Sequence, residues 1–165
     1  MIDTFTVIAE FSIGLAGFSG VVALIGNVPL DFLHFRVRNL LYAAFTPGFV
    51  ALFGIFLLRL DIETDSAVRL ASLLFAASAT VGMISGFKHL RRLGEDARGF
   101  LHRGLFWFNM TVGPTVILLQ FFNAAFQTRY AQAILTAGLI LVLLSSAITF
   151  SHLIGILIKA RYDST

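Results

Sequence analysis

The sequence predicts an all-α integral membrane bundle of about five transmembrane helices. Three observations carry that prediction. Of the 165 residues, 58% are hydrophobic and only 13% charged, against about 45–50% and about 25% in soluble domains. The apolar residues come in runs near 20 residues long, the length that crosses a bilayer as a helix. The connections between runs are short and hold most of the charge, so neighbouring spans form antiparallel hairpins and the chain reads as one domain over residues 1–165.

The first run extends from Phe5 to Val28. It contains "AEFSIGLAGFSGVVALIGN", with one glutamate and four glycines in an otherwise apolar segment. At about 100° per residue, Ala9, Ser12, Ala16, Gly20 and Ala23 share a stripe that Asn27 continues. Small residues at that spacing let helix backbones meet in lipid. The stripe therefore predicts tight packing against another helix, in this chain or in a second copy. Glu10 lies on a different face, beside Gly14 and Gly17. A carboxylate inside the membrane is protonated, paired or in contact with water. Arg59, Gln120 and Asn123 stand at similar depth, which makes the four an ion- or proton-binding candidate; the alternative is a structural polar clamp. Because of its polar content, this run has a second reading as a re-entrant or interfacial segment, leaving four spans.

The second run covers Leu40 to Leu58 and the fourth Leu105 to Phe126. Both contain breakers: Pro47 and Gly48 in "TPG", Gly113 and Pro114 in "VGPT". Proline has no N–H for the carbonyl four residues back, which frees the carbonyls of Ala43 and Met110. Breakers at matching depth in two spans of the same direction mark either kinks or a binding site between repeats. The third run, Leu70 to Phe87, and the fifth, Ala133 to Ile158, have no breaker. "FLH" at Phe32–His34 recurs at Phe100–His102, and "FKHL" at Phe87–Leu90 recurs as "FSHL" at Phe150–Leu153. The second and third spans thus read as a unit repeated by the fourth and fifth.

Threading follows from lysine and arginine. With the N-terminus outside, nine basic residues fall on the inner segments and three, Arg59, Arg69 and Arg129, on the outer ones. The expected location is a bacterial inner membrane, multi-pass, with the C-terminus in the cytoplasm. "FWF" at Phe106–Phe108 and Tyr130 fit aromatic belts at the two surfaces. "MIDTF" lacks a basic n-region, so no cleavable leader is expected.

The net charge of +3 does not indicate nucleic acid, because the basic residues flank apolar runs, where headgroups lie. Arg91, Arg92, Arg98 and Arg103, in and beside the loop "KHLRRLGEDARGFLHRG", are expected to contact anionic lipid or a soluble cytoplasmic partner. His34, His89, His102 and His152 cluster near the inner face without metal-ligand spacing, so they are expected to bond headgroups. No metal or other cofactor is expected. There is no cysteine, no G-x-S-x-G, no H-E-x-x-H and no P-loop, and no enzyme activity is expected.

"IAEFSIGLAGFSGVVALIG" followed by "FRVRNLL" resembles the start of a loose group of small bacterial multispanning membrane proteins of unassigned function. The likeness covers about the first 45 residues. It implies a bacterial membrane and transfers no activity or site. The first functional expectation is a self-associating pore or channel subunit. The alternatives are a non-conducting subunit that docks a soluble partner, and a small secondary transporter.

Overall fold

The computed structural model describes residues 1–22, 30–92, 103–126 and 129–162. Among them are five helices and no strand: α1 (Ile2–Val22), α2 (Leu30–Arg59), α3 (Thr64–Arg92), α4 (Arg103–Ala125) and α5 (Ala131–Tyr162). α2, α3 and α5 run past the apolar stretches that predicted them at both ends and take in flanking charged residues. Four are long and apolar enough to cross a membrane: α1, α2, α3 and α5. α4 carries Asn109, Pro114, Gln120 and Asn123 among its apolar residues. The first run was expected to be the uncertain span. It is a continuous helix of 21 residues, about 31 Å long at 1.5 Å per residue.

α2, α3, α4 and α5 form a ring of four, in which each helix touches its two neighbours. One diagonal, α3 with α5, is also in contact, whereas α2 and α4 do not meet. α1 lies outside the ring, against α2 and α5, and reaches neither α3 nor α4. Exchanging α2 with α4 and α3 with α5 leaves the ring's contacts unchanged. That is the pattern of two parallel hairpins related by an axis between α3 and α5. Particular residues follow it. Pro47 and Pro114 are 67 residues apart, as are Tyr42 and Asn109; Gly82 and Ser145 are 63 apart. The Tyr42 ring lies across Gly82, and Asn109 bonds Ser145 at the corresponding place. Phe75 and Gly138, also 63 apart, face each other near the axis.

The bundle has two chemically distinct ends. Asp61, Glu63 and Asp65 mark the acidic end, where α2 turns into α3. Asp61 has φ 56°, and the amides of Asp61 and Ile62 bond back to the carbonyls of Leu58 and Leu57, each at 3.3 Å. This is a Schellman stop in which aspartate takes the left-handed position usual for glycine. Arg38, Lys88, Arg91, Arg92 and Lys159 mark the basic end.

α1 buries Phe5, Ile8, Ala9, Ser12, Leu15, Ala16 and Ser19, a stripe that repeats every seven residues. The expected packing stripe is therefore real at Ser12 and Ala16, with Ser19 in line. Gly20 is within α1 but its surroundings are outside the described set, and Ala23 lies outside the described residues. The partner is α2 of the same chain. A Cβ on Gly48 would stand 2.8 Å from Ser12 Cβ, and one on Gly54 would strike the Phe5 ring. Gly48 is thus a contact point for α1 as well as a neighbour of Pro47. Ser12 and Ser19 satisfy their hydroxyls on the carbonyls of Ile8 and Leu15, both at 2.7 Å, so the interface leaves no unpaired hydroxyl in lipid.

Gly54→Ala is expected to lower thermal stability in detergent by about 1–3 kcal/mol, the range for overpacking a filled site. Gly14→Ala, where a Cβ meets nothing within 4 Å, is expected to be neutral or slightly stabilising through helix propensity. Equal melting of the two variants would contradict the α1–α2 contact.

Candidate functional site

Between α2 and α4, in the half of the bundle toward the basic end, lies a cavity of about 250 Å³. It runs from Phe75 and Val116 at mid-bundle to Phe35, Leu90 and Phe106 near the basic end. Small residues make the room: Ala43 on α2, Ala79 and Gly86 on α3, and Gly113 on α4, while the Tyr42 ring occupies the place over Gly82. The two helices with an internal proline, each continuous, stand on opposite sides. Thr46 and Gly113, each next to a proline, line the wall, and so do Ala43 and Met110, whose carbonyls the prolines leave without a helical donor.

Arg36 is the one charged side chain among the described lining residues, and Asn39 follows it by one turn on the same face of α2. No described residue hydrogen-bonds the Asn39 amide. On the opposite side, Ser145 donates to Asn109 Oδ1, leaving the Asn109 amide N–H groups as donors. The lining hydroxyls are committed elsewhere. Thr46 donates to Tyr42 O at 2.8 Å, Ser146 to Val142 O at 2.9 Å and Thr149 to Ser145 O at 2.8 Å. The cavity thus offers a guanidinium and two amides as donors, set in an apolar and aromatic wall.

Toward the acidic end the ring is filled. Phe75, Val68, Ala71, Leu135 and Leu139 are fully buried. Gln120 donates to Ile134 O at 3.0 Å, and Asn123 donates to Ser72 Oγ at 2.9 Å and Ala131 O at 2.8 Å. These bonds tie α4 to α3 and α5. The other amide oxygens, Gln120 Oε1 and Asn123 Oδ1, are buried with no partner among the described residues. Arg69 on α3 reinforces this end by donating to Ala124 O at 3.1 Å.

The four expected ion-site residues are not together. Glu10 is exposed on the outer face of α1, and α1 does not reach the helix that carries Gln120 and Asn123. The antiparallel register set by Phe5–Gly54 and Ser12–Gly48 puts Glu10 level with Val50. Arg59 is nine residues further on, about 13 Å along the helix, and is exposed. Similar depth in the bilayer was a correct inference for none of these as partners of Glu10, because depth says nothing about which helices touch.

The histidines divide. His34 is exposed, His102 lies outside the described residues, and His152 contacts the protein. His89 holds α2 to α3 instead of serving only headgroups. Arg38 Nη1 is 2.6 Å from its Nε2, and its Nδ1 is 3.2 Å from Ser85 O. Arginine only donates, so Nε2 accepts and Nδ1 carries the proton. No group of three or more His, Cys, Asp or Glu side chains able to hold a metal occurs among the described residues. Arg91 and Arg92 are exposed at the end of α3, where headgroups would reach them. Arg98 lies outside the described residues, and Arg103 opens α4 with its side chain outside the described set.

Sequence reading passed over Arg36 and Asn39, counting the arginine only as an orientation charge. The signal was present in "FRVRN": a cation and an amide one turn apart at the head of a proline-containing span. No model of a known protein family matches the chain, and no curated protein or solved structure matches it either. The geometry therefore carries the functional argument by itself.

His89→Gln keeps an oxygen acceptor for Arg38 and is expected to melt within about 1 kcal/mol of the parent. His89→Lys sets two cations together and is expected to cost about 1.5–3 kcal/mol, the range for losing a hydrogen bond to a charged group. Similar thermal shifts for both would contradict the assigned roles.

Proposed function

We propose that this membrane protein is a small carrier that admits a solute into the α2–α5 ring from the basic end. The observation that carries this reading is the cavity flanked by two proline-containing helices of the same direction and closed at mid-bundle by Phe75. Prolines at corresponding positions of two hairpins are a pointer to a transporter site. The packed half beyond Phe75 favours a carrier over the self-associating pore, since a pore needs a continuous path. The proposed orientation is the one in which basic residues face the cytoplasm, so the cavity opens inward across a bacterial inner membrane.

A second reading concerns partners. Glu10 faces outward with Gly14 and Gly17 on one face of α1, and a Cβ on either glycine meets nothing within 4 Å. A carboxyl left in lipid costs up to about 2.5–3.5 kcal/mol at the helix centre. A second copy packed on this face would set the two Glu10 carboxyls against each other. Glu10→Leu together with Gly14→Leu is expected to reduce a cross-linked dimer in native membranes several-fold without loss of yield. An unchanged dimer fraction would remove α1 as the contact.

The chain has no cysteine, which makes access measurable without background. Thr149→Cys, on the cavity wall, is expected to react with an impermeant thiol reagent from the cytoplasmic side only, and Leu135→Cys, in the packed half, from neither side. Adding Gly113→Leu should block Thr149→Cys labelling at least tenfold, because a side chain there enters the cavity without meeting backbone. Labelling of Thr149→Cys from both sides would favour a pore; no labelling would end the carrier reading.

A further inference from the structure

We infer that the solute is a small organic anion, a carboxylate with an apolar body of about the size of an aromatic ring, held by Arg36 and Asn39. The inference rests on the carrier reading and adds the substrate class to it. Arg36 supplies the only full charge among the described lining residues. Its guanidinium has five N–H donors, so a carboxylate can share it with the contact that Arg36 already makes to the protein. Planar, two-point pairing with a carboxylate is what a guanidinium does best. Asn39, one turn deeper, adds an amide donor that no described residue engages. The lining hydroxyls cannot add donors, because Thr46, Ser146 and Thr149 spend theirs on backbone carbonyls.

The rest of the wall selects the body. Tyr42, Phe75, Phe106, Met83 and Val116 enclose apolar space, and aromatic faces receive a flat ring well. At about 250 Å³ the cavity falls just under the usual range of about 300–1,000 Å³ for drug-sized ligands. That suits a single-ring acid and excludes nucleotides and sugars larger than one ring. One cation also disfavours a phosphate dianion, whose second charge would enter a low-dielectric wall unpaired.

The test uses the full chain in nanodiscs of zwitterionic phosphatidylcholine and three ring-bearing probes: benzoate, benzyl alcohol and benzylamine. Calorimetry is expected to show benzoate binding at least tenfold tighter than either of the others. Arg36→Gln should weaken benzoate tenfold or more, Asn39→Leu severalfold, and Arg36→Lys less than Arg36→Gln, because the charge remains and the fork is lost. If Arg36→Gln does not fold, the other two variants carry the comparison. Equal binding of benzoate and benzyl alcohol, or preference for benzylamine, would overturn the anion and leave the cavity standing. So would absence of binding by every probe while Thr149→Cys is labelled from one side; if that cysteine is not labelled either, the carrier reading falls with it. Discs containing phosphatidylglycerol separate a free acid from a lipid headgroup. Benzoate affinity should be unchanged, and displacement by the anionic lipid would assign Arg36 to the headgroup and overturn the inference.

Discussion

The contact between α3 and α5 at Phe75 and Gly138 governs the rest of the bundle. A Cβ on Gly138 would strike Gln120 Nε2 and stand 3.1 Å from Phe75. Its absence lets an aromatic ring and an amide press on the backbone of α5. That closes one diagonal of the ring. A ring of four packed helices cannot close both. With neighbours about 9 Å apart and one diagonal equally short, the other spans about 15 Å. The open diagonal lies between α2 and α4, and side chains must fill it or leave a cavity. Toward the acidic end Phe75, Gln120 and Leu139 fill it. Toward the basic end Ala43, Ala79, Gly86 and Gly113 are too small to do so. One glycine–aromatic contact thus decides both where the bundle is sealed and where it is hollow.

The lipid solvent explains the polar residues that this arrangement carries. Inside a bilayer each backbone and side-chain donor needs a partner within the protein. Ser12, Ser19, Thr46, Thr80, Ser146 and Thr149 all answer this by bonding the carbonyl one turn back. Gln120 and Asn123 answer it across helices, on carbonyls of α5 and the hydroxyl of Ser72. Gln120 Oε1 and Asn123 Oδ1 stay without a partner among the described residues, in the packed half. At the cavity, the amide of Asn39 and the N–H groups of Asn109 have no described acceptor, and Pro47 and Pro114 cannot donate to the carbonyls of Ala43 and Met110.

Much of the fold was legible in the sequence, and less of the site. Apolar runs near bilayer length located all five helices, and the small residues Ser12 and Ala16 located the packed face of α1. Those features depend on local spacing alone. Glu10 was misjudged because the choice of partners used depth, whereas contact depends on the order of helices around the ring. His89 was read as interfacial because nothing in "FKHL" shows that Arg38, 51 residues earlier, lies against it. Gly138 attracted no attention as an isolated small residue in an apolar run. Its meaning depends on Phe75 and Gln120 standing opposite, and pairing across a bundle is not written in one segment.

The like contact pattern of the two hairpins explains how so short a chain makes a chemically directional cavity. Two hairpins around an axis supply the space, but identical halves would line it identically. The halves differ at positions that face inward. Where the first hairpin places the Tyr42 ring over Gly82, the second places the amide of Asn109 on Ser145. Where α3 presents Phe75, α5 presents Gly138. The first hairpin thus brings Tyr42 and Phe75 to the cavity together with Arg36 and Asn39, and the second brings Phe106 together with Asn109 and Ser145. The difference also limits motion. Phe75 is held on both sides, by the Gly138 gap and by the fully buried Val68, Ala71 and Leu135. For access to pass to the acidic end, that ring must leave the glycine, and α3 must move against α5 along the only closed diagonal. The helices free to follow are α2 and α4, which each contain a proline and make no contact with each other among the described residues. In the proposed carrier, the barrier to crossing is thus the contact on the axis where Phe75 of one hairpin meets Gly138 of the other.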